Sequence, residues 1–288
     1  MVLRGSVGRN CDDEERTARA RELASGRRAD KIGAMPDIEE RAEAPGNSSS
    51  AATPPTGFAA LWPLVDAVHC ITLSTRPERR TALEPELAAV GLSDRATFLV
   101  QEPDDVADGK RGCFRAHQQS ARRALERGAG CCLTIEDDCF FTDGFSPYAA
   151  ARVARFLRDP PPAWQIFFLG HFPRKMECTA QPDVVRVRSM DAHCYLLSAD
   201  GMRALSALEY RGDQVDVHFH YACEHAYALY PMAALQRASF SDTEGVQRAD
   251  DWNDDKLARE RELYRGAVGR QMLQRVGVGA AAAAVPAA

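Results

Sequence analysis

Three consecutive carboxylates, Glu136-Asp137-Asp138, are the residues whose types and spacing most directly indicate chemistry. They end and follow the apolar segment Cys131–Glu136 (CCLTIE), which predicts a short buried strand. Adjacent carboxylates repel one another, so a fold that gathers three of them favours a neutralising cation. Oxygen ligands suit Mg²⁺ or Mn²⁺, which could bridge to a diphosphate. A solvated acidic turn is the alternative, but the position after a buried strand favours the metal site.

Basic side chains and a helix start lie upstream of that strand. The segment Gly112–His117 (GCFRAH) is predicted to open a helix, whose free amides can face a phosphate or a sugar hydroxyl. His117 is a candidate site residue there, with ordinary packing as the alternative. Arg76, Arg79 and Arg80 follow the first predicted strand, where guanidinium groups could meet a phosphate or a base. A solvated helix face is the alternative for these arginines.

A second concentration of possible metal ligands is His218–His225 (HFHYACEH). On a strand, His218 and His220 would point to the same side, and His, Cys and Glu all bind metals. No second ligand pair with zinc-finger spacing is found, which disfavours a structural zinc site. One of these side chains could complete an active-site cation shell; packing or polar surface is the alternative.

The composition is that of a medium-sized globular domain, with 288 residues of which 45% are hydrophobic and 27% charged. No apolar run approaches the roughly 20 residues of a membrane helix, so no membrane span is predicted. A net charge of -5 argues against nucleic acid as a partner. The motifs of P-loop, dinucleotide-binding, serine-hydrolase and zincin proteins are missing, which disfavours those classes.

Cysteine usage indicates a reducing compartment. The nine cysteines are an odd number, have no regular spacing and include no C-x-x-C pair. The N-terminal segment is charged and lacks the apolar core of a secretory signal. We therefore expect a cytoplasmic protein.

The elements that must position these residues lie between two predicted tails. Residues 1–57 are poor in aromatic residues and rich in Arg, Glu, Ala, Ser and Pro, which predicts a disordered tail because too little apolar surface can be buried. Residues 276–288 form an Ala-rich, low-complexity tail. The folded domain is predicted at residues 58–275.

Strand-like and helix-like segments alternate through that domain. Ser74-Thr75 and Ser146 are expected to cap helices, and Gly170 is expected to end a strand. This alternation predicts an α/β, Rossmann-like, mostly parallel sheet flanked by helices, with ligands beyond the carboxyl ends of its strands. The predicted strands cover 65–73, 96–100, 131–136, 165–169 and 193–198, and the predicted helices cover 77–90, 113–127, 147–158 and 200–208.

Several short segments follow one another in an order that resembles glycosyltransferase family 25, the lipooligosaccharide and procollagen galactosyltransferase-like group. Four of them match the family's I-N-L-x-x-R-x-x-R-R, G-C-x-x-S-H, L-I-L-E-D-D and H-A-Y-L-I-S-x-x-G motifs, namely Ile71–Arg80, Gly112–His117, Leu133–Asp138 and His193–Gly201. The family's V-D segment and P-x-x-x-x-Q…S-D ending are echoed by Val215-Asp216, Pro231…Gln236 and Ser241-Asp242. The departures are Thr72 for Asn, Ala116 for Ser, and Thr243 where Ile often follows Ser-Asp.

The resemblance implies a GT-A-like nucleotide-sugar transferase. In such an enzyme, Glu136, Asp137 and Asp138 would take the part of the D-x-D element and hold Mn²⁺ or Mg²⁺ against the donor diphosphate. The implied donor is UDP-galactose or a similar UDP-hexose, transferred with inversion to a hydroxyl of a glycan or hydroxylated protein. The residues expected to bind the donor are Arg76, Arg79, Arg80, His117 and His193.

An inverting transfer also needs a general base outside the acidic cluster. Asp216 is the first candidate, because it occupies the V-D position in a segment where partial burial would raise its pKa. Glu224 and Asp191 are the other candidates, and a structural salt bridge is the alternative role for Asp216. Two other functions stay open: a catalytically inactive sugar-binding or scaffolding protein, and a Mg²⁺-dependent phosphotransferase or phosphatase. The missing Asp-x-Asp nucleophile arrangement disfavours the latter.

Overall fold

The computed structural model describes residues 57–102, 108–243, 245–249 and 251–275, without the side chains of residues 221 and 222. The predicted tails, 1–57 and 276–288, lie outside these ranges apart from Gly57. Within the described ranges, no helix combines the length and the apolar character needed to cross a bilayer.

A six-stranded sheet forms the centre of the described domain. The strands of the described domain, in chain order, are β1 (Ala67–Leu73), β2 (Ala96–Gln101), β3 (Cys131–Glu136), β4 (Cys139–Phe141), β5 (Ile166–Cys178), β6 (Val184–Ser198), β7 (Ala226–Leu229), β8 (Ala234–Gln236), β9 (Phe240–Ser241) and β10 (Val246–Gln247). Strands β4 and β8 pair with each other, as do β9 and β10, and the other six form the central sheet. The sheet order is β2-β1-β3-β6-β5-β7, and β6 alone among these six runs antiparallel to the rest. The predicted mostly parallel α/β sheet is therefore confirmed.

Helices cover both faces of this sheet. They are α1 (Phe58–Leu61), α2 (Pro77–Ala89), α3 (Gly109–Glu126), α4 (Pro147–Arg158), α5 (Ala199–Ala207), α6 (Val215–Ala222) and α7 (Trp252–Arg275). On one face, α2 and α4 bury Leu83 and Phe156 against the strands. On the other face, α3, α5 and α6 bury Phe114, Met202 and Phe219. The strands are thus covered on both sides, as parallel strands require.

The order β2-β1-β3 creates a crevice at the carboxyl ends of the central strands. The crossover helices α2 and α3 lie on opposite faces of the sheet, and ligand sites in such sheets form where the connections diverge in this way. Side chains of β3 alternate between the faces. Ile135 packs in the core that contains α2, whereas Thr134 and Glu136 contact side chains of α3. The alternation brings Glu136 to α3 at the crevice.

The two expected hydroxyl caps have different outcomes. Ser146 caps α4 as predicted, since its hydroxyl accepts from the amide of Ala149 (3.4 Å). The cap expected from Ser74-Thr75 is wrong. The chain turns before α2, so Arg76 takes the cap position without a side-chain bond, and the Ser74 hydroxyl donates to Glu102 instead (2.8 Å).

Gly170 lies within β5 and does not end it, contrary to the prediction. The pairing of β5 with β6 shifts register on both sides of this residue. A Cβ atom here would lie 2.2 Å from Nε2 of His193 and 2.6 Å from the carbonyl oxygen of Ala234. The glycine therefore permits a close approach of neighbouring chain segments within a bulged strand.

The first part of the segment His218–His225 is helical, so the condition for a His-x-His pair on one side of a strand is not met. Because α6 spans Val215–Ala222, His218 and His220 point about 200° apart around the helix axis. The His218 ring packs against Phe114 with the ring centroids 4.9 Å apart.

Candidate active site

A cavity of about 660 Å³ opens at the carboxyl ends of β1, β2 and β3. Much of α3, from Gly109 to Arg122, the first turn of α6 and the β9–β10 hairpin also border it. Small-molecule sites usually have volumes of about 300–1,000 Å³. The charged side chains of its lining include Arg79, Glu136, Asp137, Asp138, Asp216 and Arg248.

Glu136 ends β3 with both carboxylate oxygens engaged. Its Oε1 lies 3.1 Å from Nε2 of His117, and its Oε2 accepts from the side-chain amide of Gln236 (3.2 Å). Burial favours the neutral acid, but the hydrogen bond with His117 and the charge of Arg248 outweigh it and lower the pKa of Glu136. Glu136 is therefore an anion that two neighbours hold in place.

Asp138 shares an amide with Glu136. The side-chain nitrogen of Gln236 approaches the two Asp138 oxygens at 3.4 and 3.5 Å, and Arg248 lies 4.0 Å away. Burial first, and the negative charge of Glu136 second, raise the pKa of Asp138 to about 7. A divalent cation between the two carboxylates would remove the repulsion that contributes to this shift.

The Asp137 side chain points towards α2, away from the α3 side on which Glu136 contacts His117. Its Oδ1 lies 3.4 Å from Arg79, while its buried Oδ2 has no hydrogen-bond partner among the described residues. Burial raises the pKa of Asp137. A buried carboxylate oxygen without a partner, next to two further carboxylates, suits a hard divalent cation. Glu136 and Asp138, which share the Gln236 amide, therefore offer a pair of carboxylates that suits the predicted Mn²⁺ or Mg²⁺, whereas Asp137 lies on the α2 side of the strand.

Lys256 of α7 connects the acidic cluster to the opposite part of the cavity. Its fully buried ammonium group donates to Oε1 of Gln236 (2.9 Å) and lies 2.7 Å from Asp191. Because the Gln236 oxygen faces Lys256, the NH₂ group of Gln236 must face Glu136 and Asp138. Burial favours neutral Asp191, but the ion pair with Lys256 outweighs it and lowers the pKa of this carboxyl.

Asp216 lies in the first turn of α6 and also lines the cavity. Its Oδ2 accepts from the backbone amide of Asp191 and its Oδ1 from that of Val217, each at 3.0 Å. Burial is the largest influence and raises the pKa of Asp216. The side chain is a buried carboxylate, held in one orientation and separate from the Glu136–Asp138 cluster.

The three arginines predicted to bind the donor occupy different environments. Arg79 lines the cavity and contacts both Asp137 and Asp242 at 3.4 Å. Arg76 lies outside the lining and pairs with Asp242 (2.7 Å). Arg80 lies on the outer side of α2, with its guanidinium group over the ring of Phe98 (4.4 Å). The structure thus brings Arg79 into contact with the acidic cluster. Arg76 is linked to Arg79 only through their shared partner Asp242, which follows β9.

His117 lines the cavity, whereas His193 and Glu224 do not. The fully buried His193 ring approaches the carbonyl oxygen of Ala234 (3.1 Å), and burial lowers the pKa of His193 to about 4. Glu224 is exposed beyond the end of α6, where its carbonyl oxygen accepts from Arg186 (3.0 Å). Neither side chain is placed to touch a ligand in this cavity.

Several lining or supporting residues were not found by sequence reasoning. Lys256 is one of only four lysines in a chain with 32 arginines, and that rarity was its one signal. Gln236 appeared only as part of a motif. Cys113 lines the cavity near Glu136, and burial first, with the charge of Glu136 second, raises the pKa of its thiol well above the ordinary value. A thiol of this kind is a poor nucleophile.

No protein-family model matches this sequence, and no curated protein sequence matches it. Solved structures of similar fold include a mannose-1-phosphate geranyltransferase from Thermus thermophilus, with 12% identity and a TM-score of 0.37 over 57% of this chain and 74% of the other. A glycosyltransferase involved in glycosylation of the major capsid of PBCV-1 has 9% identity and a TM-score of 0.37 over 69% and 99%. A UDP-glucose pyrophosphorylase complexed with UDP-glucose has 10% identity and a TM-score of 0.38 over 69% and 81%. The resemblance to glycosyltransferase family 25 stays a prediction.

Proposed function

We propose that this chain is a metal-dependent glycosyltransferase that moves a hexose, with galactose as the first candidate, from a UDP-sugar to a hydroxyl of a glycan or hydroxylated protein, with inversion. One observation carries the proposal: the Glu136–Asp138 cluster and the separate buried carboxylate of Asp216 line the same cavity. The cluster suits a cation-bound diphosphate, and Asp216 suits the acceptor hydroxyl. The sequence motifs that resemble family 25 support the same assignment.

The donor diphosphate is assigned to the wall that carries the Glu136–Asp138 cluster. These carboxylates would hold Mn²⁺ or Mg²⁺, which when bound supplies positive charge to a leaving diphosphate. Arg79 and Arg248 line the same cavity and offer guanidinium donors that suit phosphate oxygens. Arg79 is held by Asp137 and Asp242, so its orientation is set before a ligand binds.

The general base is assigned to Asp216. Its two backbone hydrogen bonds fix the carboxylate plane, and its burial raises the affinity for a proton. A base of this kind can take the proton of an acceptor hydroxyl as the oxygen attacks the anomeric carbon. The charge of Asp216 is not shared with the cation ligands, so it stays available for this transfer.

A thermal-shift panel of nucleotides and UDP-sugars, with Mn²⁺ and with chelator, combined with a UDP-release assay, tests the proposal. We expect UDP to raise the melting temperature only with Mn²⁺, and Asp138→Asn to abolish that increase. The melting temperature of ligand-free Asp138→Asn should be unchanged or higher, because one of several crowded buried charges is removed.

Asp143→Asn is the matched control, since this carboxylate is exposed on the loop after β4 and should leave Mn²⁺-dependent binding unchanged. Full UDP affinity in Asp138→Asn would exclude the assigned cation site. Stabilisation by UDP-sugars without UDP release over a panel of acceptors would instead indicate a catalytically inactive sugar-binding protein.

A further inference from the structure

A second set of metal-binding side chains lies on the side of Glu136 that faces His117. Cys113 and His117 are four residues apart on α3, so they lie on one side of the helix. The Cys113 sulfur, a His117 ring nitrogen and a Glu136 oxygen all lie within 4.8 Å of one another. The donors of a tetrahedral zinc ion are roughly 3.3–3.7 Å apart, as its bond lengths imply. Side-chain shifts of about 1 Å would therefore bring these three atoms around one ion.

The surroundings of His117 favour metal binding through its Nε2. The other ring nitrogen, Nδ1, lies 2.6 Å from the hydroxyl of Tyr195, and the two rings are stacked. Both side chains are almost completely buried. Metal-binding histidines usually bond their second nitrogen to such an outer partner, which fixes the ring orientation. Nε2 already faces Glu136 at 3.1 Å.

We propose that Cys113, His117 and Glu136 form a binding site for Zn²⁺ or another thiophilic divalent cation. All three line the cavity, so the fourth coordination position faces it. Binding releases the thiol proton of Cys113 to solvent. The proton that His117 Nε2 shares with Glu136 is replaced by the metal, and His117 then carries its proton on Nδ1, where the Tyr195 oxygen accepts it. Sulfur and imidazole donors select Zn²⁺ over Mg²⁺ and Mn²⁺, whereas the Glu136–Asp138 cluster offers oxygens alone.

Glu136 belongs to both donor sets, so Zn²⁺ at this site weakens Mn²⁺ binding to the acidic cluster. This consequence rests on the proposed function, whereas Zn²⁺ binding itself does not. The proposed function is tested separately by UDP release in Mn²⁺ with zinc removed. A failure of either proposal can therefore be recognised without the other.

Co²⁺ is the probe for this site, because its absorption reports both thiolate ligation and coordination number. Titration of the full chain should give a thiolate-to-Co²⁺ charge-transfer band and the strong visible absorption of a four-coordinate ion, and added Zn²⁺ should remove both. Tyr195→Phe should weaken Zn²⁺ binding by roughly 10–100-fold, as the loss of an outer partner does elsewhere. Cys113→Ser should lose the band and weaken binding by more than that.

Cys178→Ser is the matched control, because this cysteine lies at the C-terminal end of β5, outside the cavity lining, and should keep the band. Asp138→Asn should also keep it, which separates this site from the hard-cation site. Circular dichroism and melting curves check the fold, and Cys113→Ala serves as a second variant. The proposal is overturned by a missing band in the wild type, by an unchanged band in folded Cys113 variants, or by its loss in Asp138→Asn.

Discussion

At the scale of single residues, the carboxylates of the cavity differ because their hydrogen-bond donors differ. Glu136 has one partner for each oxygen, and its pKa is lowered. Asp138 shares the Gln236 amide with Glu136, and burial next to that charge raises its pKa to about 7. Asp216 accepts from two backbone amides, yet burial still raises its pKa. Hydrogen-bond donors and burial thus give these three carboxyl groups different pKa values, although their chemistry is the same.

Asp216→Asn tests the assigned base. Removal of a well-placed general base typically costs on the order of 10²–10⁴ in rate, so we expect turnover to fall by that factor while Mn²⁺-dependent UDP-sugar binding is retained. The variant is measured by UDP release at saturating acceptor and by thermal shift. Asp213→Asn, an exposed position three residues earlier, is the control and should keep wild-type turnover. Transfer near the wild-type rate in Asp216→Asn would move the role to Asp191, the other predicted base that lines the cavity.

At the scale of elements, the helix α7 supports the cavity through two buried charged residues. Lys256 reaches Asp191 and Gln236, as described above. One turn later, the carboxyl group of Glu260 accepts from the backbone amide of Met232 (2.9 Å). Both contacts tie α7 to the segment that leads into β8, which carries Gln236. Because a buried charge or polar group without a partner is costly, these contacts constrain where α7 lies on the domain.

Lys256→Met should lower the free energy of unfolding by about 3–5 kcal/mol, because it leaves the Asp191 carboxylate buried without its partner. The double variant Asp191→Asn/Lys256→Met should recover a large part of that loss, since the unpaired charge is then gone. Urea unfolding of the wild type, of the single variants Lys256→Met and Asp191→Asn, and of the double variant closes this double-mutant cycle. Lys175→Met removes an exposed lysine, which pairs with the half-exposed Glu177 in strand β5, and should leave stability nearly unchanged. A coupling energy near zero in this cycle would show that the ion pair does not contribute.

Glu260 should make the stability of the protein depend on pH. Burial raises its pKa to about 8 in the folded state from an ordinary value of 4.5. The folded state then binds more protons than the unfolded state between these values, so the contribution of this group is complete below about pH 4.5 and is lost as the pH rises towards 8. Relative to Glu260→Gln, the wild type should lose up to about 1.4 kcal/mol per pH unit in this window.

Urea unfolding at half-unit intervals from pH 5 to pH 8 measures this difference. Glu262→Gln, an exposed glutamate two residues later on α7, is the control and should run parallel to the wild type. Parallel curves for the wild type and Glu260→Gln would contradict the raised pKa.

At the scale of the whole described domain, the core begins at the first described residues. Phe58 of α1 stacks on Trp62 (5.9 Å between the ring centroids) and meets the ring of Phe145 edge-on. The carbonyl oxygen of Gly57 accepts from the amides of Ala60 and Leu61. These contacts join α1 to the face of the sheet that carries α2 and α4.

Deletion of residues 1–56 is predicted to leave the fold and Mn²⁺-dependent UDP binding intact, because the composition of that segment is poor in core-forming residues. Deletion of residues 1–64 is the matched comparison. It also removes Leu61 and Trp62, which are buried, and should lower the melting temperature clearly. Thermal melts and UDP titrations of both truncated chains, compared with the full chain, test this prediction. An insoluble protein after the shorter deletion would show that residues 1–56 pack on the domain.

The local elements of this chain were largely predictable from sequence. The strand Cys131–Glu136 has the predicted limits, because its apolar run and the glycines before it are local signals. The same holds for the helix after Ser146, whose cap is set by neighbouring residues. The position of Asp137-Asp138 at a strand end therefore followed from the sequence, and so did the mostly parallel sheet. The prediction that Gly170 ends a strand was wrong, because the role of this glycine depends on distant segments, those of His193 and Ala234.

Tertiary structure alone decided which side chains meet in the cavity. Of three neighbouring arginines, only Arg79 lines it, because the others lie on different sides of the turn and of α2. The His193 ring contacts the carbonyl oxygen of Ala234. Lys256 is linked to the acidic cluster through Gln236, from a helix more than a hundred residues away in sequence. Propensity and periodicity act over a few residues, whereas these contacts depend on which sheet face each helix covers. That choice is made by packing of the complete core, and no local pattern contains it.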